Sequence, residues 1–303
     1  MYNEEAVLPA LFERMNALMD DMPQCQWEVL LVNDGSRDAS LFMAMQMHDR
    51  DPRWHYLDLS RNFGKEAAMM AGFDYVTGDC VVIMDADLQH PPETIPGFVD
   101  KWLEGYDDVY GSRITRGRES WLRRKLSLLY YDLLQRSTRI HVLKNVGDFR
   151  LLDRACIDAL RRLPETQRNT KALFNWIGFS KIDVPFETDD RAGGESKWSY
   201  ISLINLAMEG ITSYTTAPLR LASVMGFIVS AFAFIYMIYV FIKTLIVGED
   251  VAGFPTLVIV QLFLGGVILL ALGIIGEYVG RIFLETKHRP GYLVRDYDGN
   301  VKK

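Results

Sequence analysis

Through the first two hundred residues, short apolar runs alternate with longer segments whose apolar residues recur every three or four positions. Trp27–Val32, Trp54–Leu59, Cys80–Met84, Asp108–Tyr110 and Ile182–Phe186 read as strands. Glu5–Asp20, Arg37–His48, Lys65–Val76 and Glu93–Glu104 read as helices. Strands alternating with helices predict an α/β domain whose mainly parallel sheet has helices on its faces. The pattern changes near residue 219. Residues 221–242 carry no charge over 22 positions, and residues 251–276 carry none over 26. A bilayer core of roughly 30 Å needs about 20 apolar helical residues, so each stretch is long enough to span.

The flanks orient these spans. Arg220 precedes the first, and Arg281, Lys287, His288 and Arg289 follow the second, whereas the connection holds Glu249 and Asp250. An excess of Lys and Arg marks the cytoplasmic side, so both ends, and the large amino-terminal domain with them, are expected there. The chain as a whole carries a net charge of −6, which argues against general nucleic-acid binding. Cys25, Cys80 and Cys156 form no C-x-x-C pair, so neither a zinc site nor a disulfide framework is expected.

Residues 113–139 concentrate eight Arg or Lys, and Leu122, Leu126, Leu129 and Leu133 recur among them at helical spacing. An apolar stripe bordered by cations, near 120–139, predicts a helix lying on an anionic membrane surface. Ile201, Ile204, Met208 and Ile211 predict a second such helix leading into the first span. At the other end, Tyr2-Asn3-Glu4-Glu5 is a polar loop-to-helix signature that reads as no signal peptide. A sheet of this type needs a strand before it, and its absence points to truncation, because a missing central strand would leave backbone groups unpaired.

The polar clusters fall at the carboxyl ends of the expected strands, where open α/β sheets bind ligands. Asp85 and Asp87 stand two apart, which places both carboxylates on one side of the chain. Hard oxygen donors at that spacing suit Mg²⁺ or Mn²⁺ bridging to phosphate oxygens. Asp34, in Asn33-Asp34-Gly35-Ser36, can accept from a base N–H or a ribose hydroxyl, or can simply shape the turn. Arg61-Asn62-Phe63-Gly64-Lys65 ends in a helix start that favours anions. Arg191-Ala192-Gly193-Gly194-Glu195-Ser196-Lys197-Trp198 is a Gly-rich loop that can present Lys197 to a phosphate. No Walker motif and no G-x-G-x-x-G after the first strand occurs, so a nicotinamide cofactor has no support.

Taken together, Y-N-E-E, N-D-G-S-R-D, R-N-F-G-K-E, D-A-D-L-Q-H-P-P-E, G-S-R, V-G-D-F-R-L-L-D-R and R-x-x-G-x-S-K-W resemble the family-two glycosyltransferases that charge polyprenyl phosphates. The match runs over nearly the whole chain, and G-E-Y-V-G-R-I-F-L-E-T-K-x-R-P after two spans is similar to the bacterial bactoprenol type. The resemblance implies a GT-A, Rossmann-like domain over 1–195, an interface-helix region over 196–218, two transmembrane helices within 219–284 and a cytoplasmic tail over 285–303. It implies an inverting transfer of a sugar, with UDP-glucose the favoured donor, to undecaprenyl phosphate. The enzyme would be a multi-pass protein of the cytoplasmic membrane and a homo-oligomer.

By position, the resemblance assigns Tyr2, Glu4, Asp34, Lys65, Asp85, Ala86, Asp87 and Gln89 to the nucleotide-sugar, with Asp85 and Asp87 on the metal. It assigns Arg113, Arg123, Ser196 and Lys197 to the acceptor phosphate. Asp148, in G-D-F-R, is the best base candidate, the alternative being that it orients Arg150 or the acceptor. A processive polysaccharide synthase would need a Q-x-x-R-W motif, which is absent, and more spans. A non-catalytic membrane-anchored binding subunit is the reading opposed by the intact acidic pair.

Overall fold

The computed structural model describes residues 1–114, 146–163, 165, 170–187, 217–247 and 253–299. The chain divides into two compact units, Met1–Trp198 with Arg289–Lys303, and Ser199–His288.

In the first unit the elements follow in the order α1 (Leu8–Asp21), β1 (Val29–Asn33), α2 (Ser40–Arg50), β2 (Trp54–Leu59), α3 (Lys65–Tyr75) and β3 (Cys80–Ile83). A 3₁₀ turn at Pro92–Thr94 then leads into α4 (Ile95–Leu103), followed by β4 (Asp108–Arg113) and β5 (Val146–Asp153). After these come α5 (Arg154–Arg161), α6 (Thr170–Trp176), β6 (Lys181–Phe186) and, from the far end of the chain, β7 (Val294–Tyr297). The strands form a three-stranded sheet, β1-β2-β7, and a four-stranded sheet, β3-β5-β4-β6.

The sheets are mixed, which corrects the expectation of a mainly parallel one. β1 with β2 and β4 with β6 are parallel, but β7 runs antiparallel to β2, and β5 runs antiparallel to both β3 and β4. The difference lies in β7, at the edge of its sheet, and in β5, neither of which the sequence reading assigned. The β5 run Val-Gly-Asp-Phe-Arg-Leu-Leu-Asp alternates charged with apolar residues, and it lies at the centre of its sheet because the charges are paired. Arg150, 2 % exposed, donates from Nη1 to both oxygens of the fully buried Asp108, at 3.2 and 3.0 Å. Lys181 Nζ reaches the same carboxylate at 2.6 Å. Burying a guanidinium is tolerable only with such partners, and its face also lies 3.9 Å from the Phe174 ring.

The two sheets share one apolar core. The buried face of α1 (Leu8, Leu11, Met15, Met19) meets Leu31, Trp54, Phe98, Val109, Phe149 and Leu151 in that cluster. Trp54 is fully buried, with its indole N–H donating to Asn16 at 2.9 Å. Burial of such a ring offsets the ordering cost of its strand by a few kcal/mol, about 3 on transfer scales. At the start of the chain, the Met1 ammonium donates to Val32 O at 2.7 Å and Met1 O accepts from Asp34 N–H at 3.0 Å, so residue 1 lies along the carboxyl end of β1.

The second unit holds two long helices, α7 (Ala217–Val247) and α8 (Phe254–Thr286). Phe263–Thr286 is long and apolar enough to cross a membrane by length and composition, and a shorter apolar run covers Ala222–Tyr236. Large apolar side chains such as Phe227, Phe232, Phe263 and Leu269 are exposed on these helices. The expected interface helices at 120–139 and 201–211 lie outside the described residues.

Candidate active site

Four strands deliver side chains to one edge. Asp34 follows β1, Lys65 opens α3 after β2, Asp85 follows β3, and Arg113 ends β4. Because β5 is antiparallel, its amino end lies at that same edge and brings Asp148 there. The Lys65 ammonium stands 2.6 Å from Asp85 Oδ1 and 2.7 Å from Asp148 Oδ2. Burial alone would lower the Lys65 pKa, but the two carboxylates outweigh it and hold the pKa above its ordinary value. Burial pushes the Asp148 carboxyl up, yet Lys171, Lys65 and Arg150 together bring it below the usual carboxylate range. Asp148 is therefore ionised at neutral pH. Its Oδ1 is buried and has no hydrogen-bond partner among the described residues.

The acidic pair is held by its own loop. Gln89 N–H donates to Asp87 Oδ1 at 3.1 Å, and Leu88 takes a left-handed conformation (φ 59°) that turns the chain sharply between them. Asp85 N–H donates to His90 Nδ1 at 3.4 Å. His90 is 3 % exposed and its ring stacks on Phe149, with centroids 4.9 Å apart and planes 8° apart. Burial depresses the His90 pKa, so the ring is neutral and free to accept. Glu4 joins this cluster: burial first, then the charge of Asp87, raises its carboxyl above the ordinary range.

The Asn33–Ser36 turn packs on the Arg61–Gly64 loop. Asp34 Oδ1 accepts from Phe63 N–H at 2.7 Å and Oδ2 from Gly64 N–H at 2.9 Å. Gly35, at φ 69°, is required here, since a Cβ would lie 2.6 Å from the backbone of Arg61 and Asn62. The opening Tyr2-Asn3-Glu4-Glu5 segment is fastened to the residues that follow this turn. Asn3 N–H donates to Ser36 Oγ at 3.0 Å, Glu4 N–H to Ser40 Oγ at 2.8 Å and Glu5 N–H to Asp38 Oδ2 at 3.2 Å.

The structure thus brings Glu4, Lys65, Asp85, Asp87 and Asp148 into one electrostatic cluster, with Asp34 and Gln89 on the loops around it. Tyr2 is exposed on the opening segment, Ala86 sits between the acidic pair, and Arg113 is exposed at the end of β4. Arg123, Ser196 and Lys197 lie outside the described residues. Among the described residues, the hydrogen bonds of Arg150 go to Asp108 and to Gly147 O, and Asp148 acts on it through charge. Sequence reasoning gave no role to His90, which was in view inside D-A-D-L-Q-H-P-P-E. It also passed over Glu66, whose Oε2 accepts from the Thr170 N–H at 3.0 Å and from the Thr170 hydroxyl.

Residues 1–161 match Glycosyl transferase family 2, and residues 217–282 match the GtrB C-terminal hairpin. An uncharacterised glycosyltransferase of Synechocystis sp. is 42 % identical over 99 % of this chain and 94 % of its own. The bactoprenol glucosyl transferase of Shigella phage SfV is 38 % identical over 98 % of this chain and 96 % of its own. A prophage bactoprenol glucosyl transferase homologue of Escherichia coli K12 is 36 % identical over 97 % and 96 %. With half of its length matched and its relatives aligned nearly end to end, the chain belongs to glycosyl transferase family 2 and is a glycosyltransferase.

Proposed function

We propose that this chain transfers glucose from a nucleotide-sugar, UDP-glucose in the first instance, to polyprenyl phosphate, at the cytoplasmic face of a membrane that α7 and α8 both cross. The observation that carries the reading is the cluster of Asp85, Asp87 and Asp148 at the strand ends, joined by Glu4 from the opening segment, with Lys65 bridging two of its carboxylates. The bactoprenol glucosyl transferases of Shigella phages, 38 % identical over nearly the full length, supply the sugar and the lipid.

The cluster fits a divalent cation. Its donors are hard carboxylate oxygens: Asp85 and Asp87 stand two apart on one loop, and the Asp85 side chain is 36 % exposed at the strand end. Asp85, Asp87 and Gln89 would hold Mg²⁺ or Mn²⁺ together with the donor diphosphate. When bound, the ion neutralises charge on the leaving nucleoside diphosphate.

The remaining work falls to side chains. A lipid phosphate oxygen attacks the anomeric carbon on the face opposite the diphosphate. The bond from that carbon to the diphosphate oxygen breaks, and its electron pair departs with the nucleoside diphosphate. The product is a sugar phosphodiester of the lipid with inverted configuration. A phosphate monoester has a second pKa of about 6 and is already mostly dianionic at neutral pH, so no strong base is needed. Asp148, with its carboxyl below the usual range, is a poor proton acceptor; we assign it the task of holding Lys65 over the site. Lys65 offers its ammonium to the donor phosphates, and Arg113, Arg123, Ser196 and Lys197 are assigned to the acceptor phosphate.

The test is a donor panel with the full chain in detergent, undecaprenyl phosphate as acceptor, and UDP-glucose, UDP-galactose, UDP-N-acetylglucosamine and GDP-mannose as donors. Lipid mass spectrometry should show one added hexose with UDP-glucose. No lipid product with any donor, or a polymer in its place, would refute the proposal.

A further inference from the structure

The stretch after α8 returns to the first unit as part of its sheet. β7 pairs antiparallel with β2, with Leu57 opposite Tyr297, Asp58 opposite Asp296 and Leu59 opposite Val294. One of its side chains touches one loop of the candidate donor pocket and connects through Asp58 to the other. Arg295 Nη2 donates to Ser60 O at 2.6 Å, at the start of the loop that carries Arg61 to Gly64. Its Nη1 donates to Asp58 Oδ2 at 3.3 Å. Asp58 is 2 % exposed, and its other oxygen accepts from Asn33 Nδ2 at 2.7 Å. Asn33 is fully buried, and its Oδ1 accepts from Ser36 N–H at 3.2 Å, closing the turn that carries Asp34. The backbone adds a further tie, Ser60 N–H to Leu293 O at 2.8 Å.

The strand is fastened on both sides of Arg295. Before it, the Tyr292 hydroxyl donates to Asp74 at 2.6 Å. After it, Asp298 takes a left-handed conformation (φ 48°), accepts from Tyr56 N–H at 2.9 Å and pairs with His55 Nδ1 at 2.6 Å. Asp296 accepts from the Tyr56 hydroxyl at 2.9 Å. A segment that served only as a tail would not need this many specific anchors.

We infer that residues 292–298 form a strap that sets the shape of the donor pocket, with Arg295 a positioning residue acting through Asp58 and Asn33. The inference rests on the reading of the Asn33–Ser36 and Arg61–Lys65 loops as the donor pocket. Its physical basis is the burial of Asp58. Without the guanidinium, the Asn33 amide is the one side-chain partner left to the carboxylate among the described residues. A buried charge deprived of a partner recruits water or shifts, and the amide that holds the Asp34 turn shifts with it. On that reading the Asp34 turn holds the nucleoside, away from the bond that breaks, so its contacts are the same in ground and transition states and the loss appears in affinity and not in turnover.

The test uses the full chain in detergent. Calorimetry with Mn²⁺ and either UDP or GDP measures nucleotide affinity, and steady-state kinetics measure donor KM, lipid KM and kcat. Arg295→Ala should weaken binding of the nucleotide, and raise donor KM, by about tenfold, the loss expected of one charge-assisted contact. kcat and lipid KM should stay within about twofold, since ground-state and transition-state binding fall together. Arg295→Lys, which keeps the charge beside Asp58 and loses the fork to Ser60, should recover part of the affinity. Unchanged affinity in Arg295→Ala with weakened affinity in Asp34→Asn overturns the strap and leaves the donor pocket standing. Unchanged affinity in both overturns the donor pocket and the strap with it. A parallel fall of kcat, both KM-derived affinities and melting temperature in Arg295→Ala reduces β7 to a structural element and also overturns the inference.

Discussion

The ammonium of Lys65 lies 2.7 Å from the carboxylate of Asp148, a lysine from the start of a helix paired with an aspartate from the strand that runs against its neighbours. Asp85, 2.6 Å away on the other side, makes the lysine a bridge between two strands. Replacing it should be felt by both carboxylates. Lys65→Met removes one of the charges that keep Asp148 ionised against its burial, so the Asp148 pKa should rise, a shift read directly by NMR titration of the carboxyl. kcat should fall by about 10²-fold, the usual loss when a charge-stabilising donor is removed. An unchanged kcat, or an Asp148 pKa that does not rise, would contradict the bridge.

Glu66 gives a stability prediction with a defined sign. Burial raises its folded pKa above the ordinary value, although Thr170 donates to it. A raised folded pKa favours the folded state at low pH, and that contribution is lost as pH rises through the folded value. Glu66→Gln keeps an acceptor for Thr170 and removes the desolvated charge. The variant should melt higher than the parent chain at pH 7, and the two should converge as pH falls toward about 4, near the unperturbed carboxylate pKa. An equal difference at both pH values would contradict this.

The Asp108–Arg150–Lys181 group buries a carboxylate with two cations. Asp108 is fully buried and receives both cations. Asp108→Asn leaves Arg150 and Lys181 without their counter-charge, and removing one partner of a buried pair costs about 3–5 kcal/mol. Chemical denaturation should show that loss, with Asp148 displaced along the same strand and activity reduced. A loss below about 1 kcal/mol, the size expected of an exposed pair, would mean that water reaches the group.

Much of this was legible in the residues. Trp54–Leu59 and Cys80–Met84 are short β-branched or aromatic runs that end in polar clusters, and the structure has strands at Trp54–Leu59 and Cys80–Ile83. Lys65, Asp85 and Asp87 stood out because turn chemistry and carboxylate spacing are local properties. β5 and β7 were not legible, for a common reason. Both carry charges whose partners, Asp108 for Arg150 and Asp58 for Arg295, are distant in sequence, so burial and pairing appear only once the chain is folded. The same holds for His90, whose role depends on Phe149 in another strand.

The central claim is that the acidic pair works through a divalent cation to transfer a sugar onto a lipid phosphate. It is tested most directly by assaying glucosyl transfer to undecaprenyl phosphate after chelation and after re-addition of Mg²⁺ or Mn²⁺, in the parent chain and in Asp85→Asn and Asp87→Asn. Lipid product should be lost on chelation and recovered with metal in the parent chain, and neither variant should recover it. Undiminished transfer in the presence of chelator, or full activity in both variants, would contradict the claim.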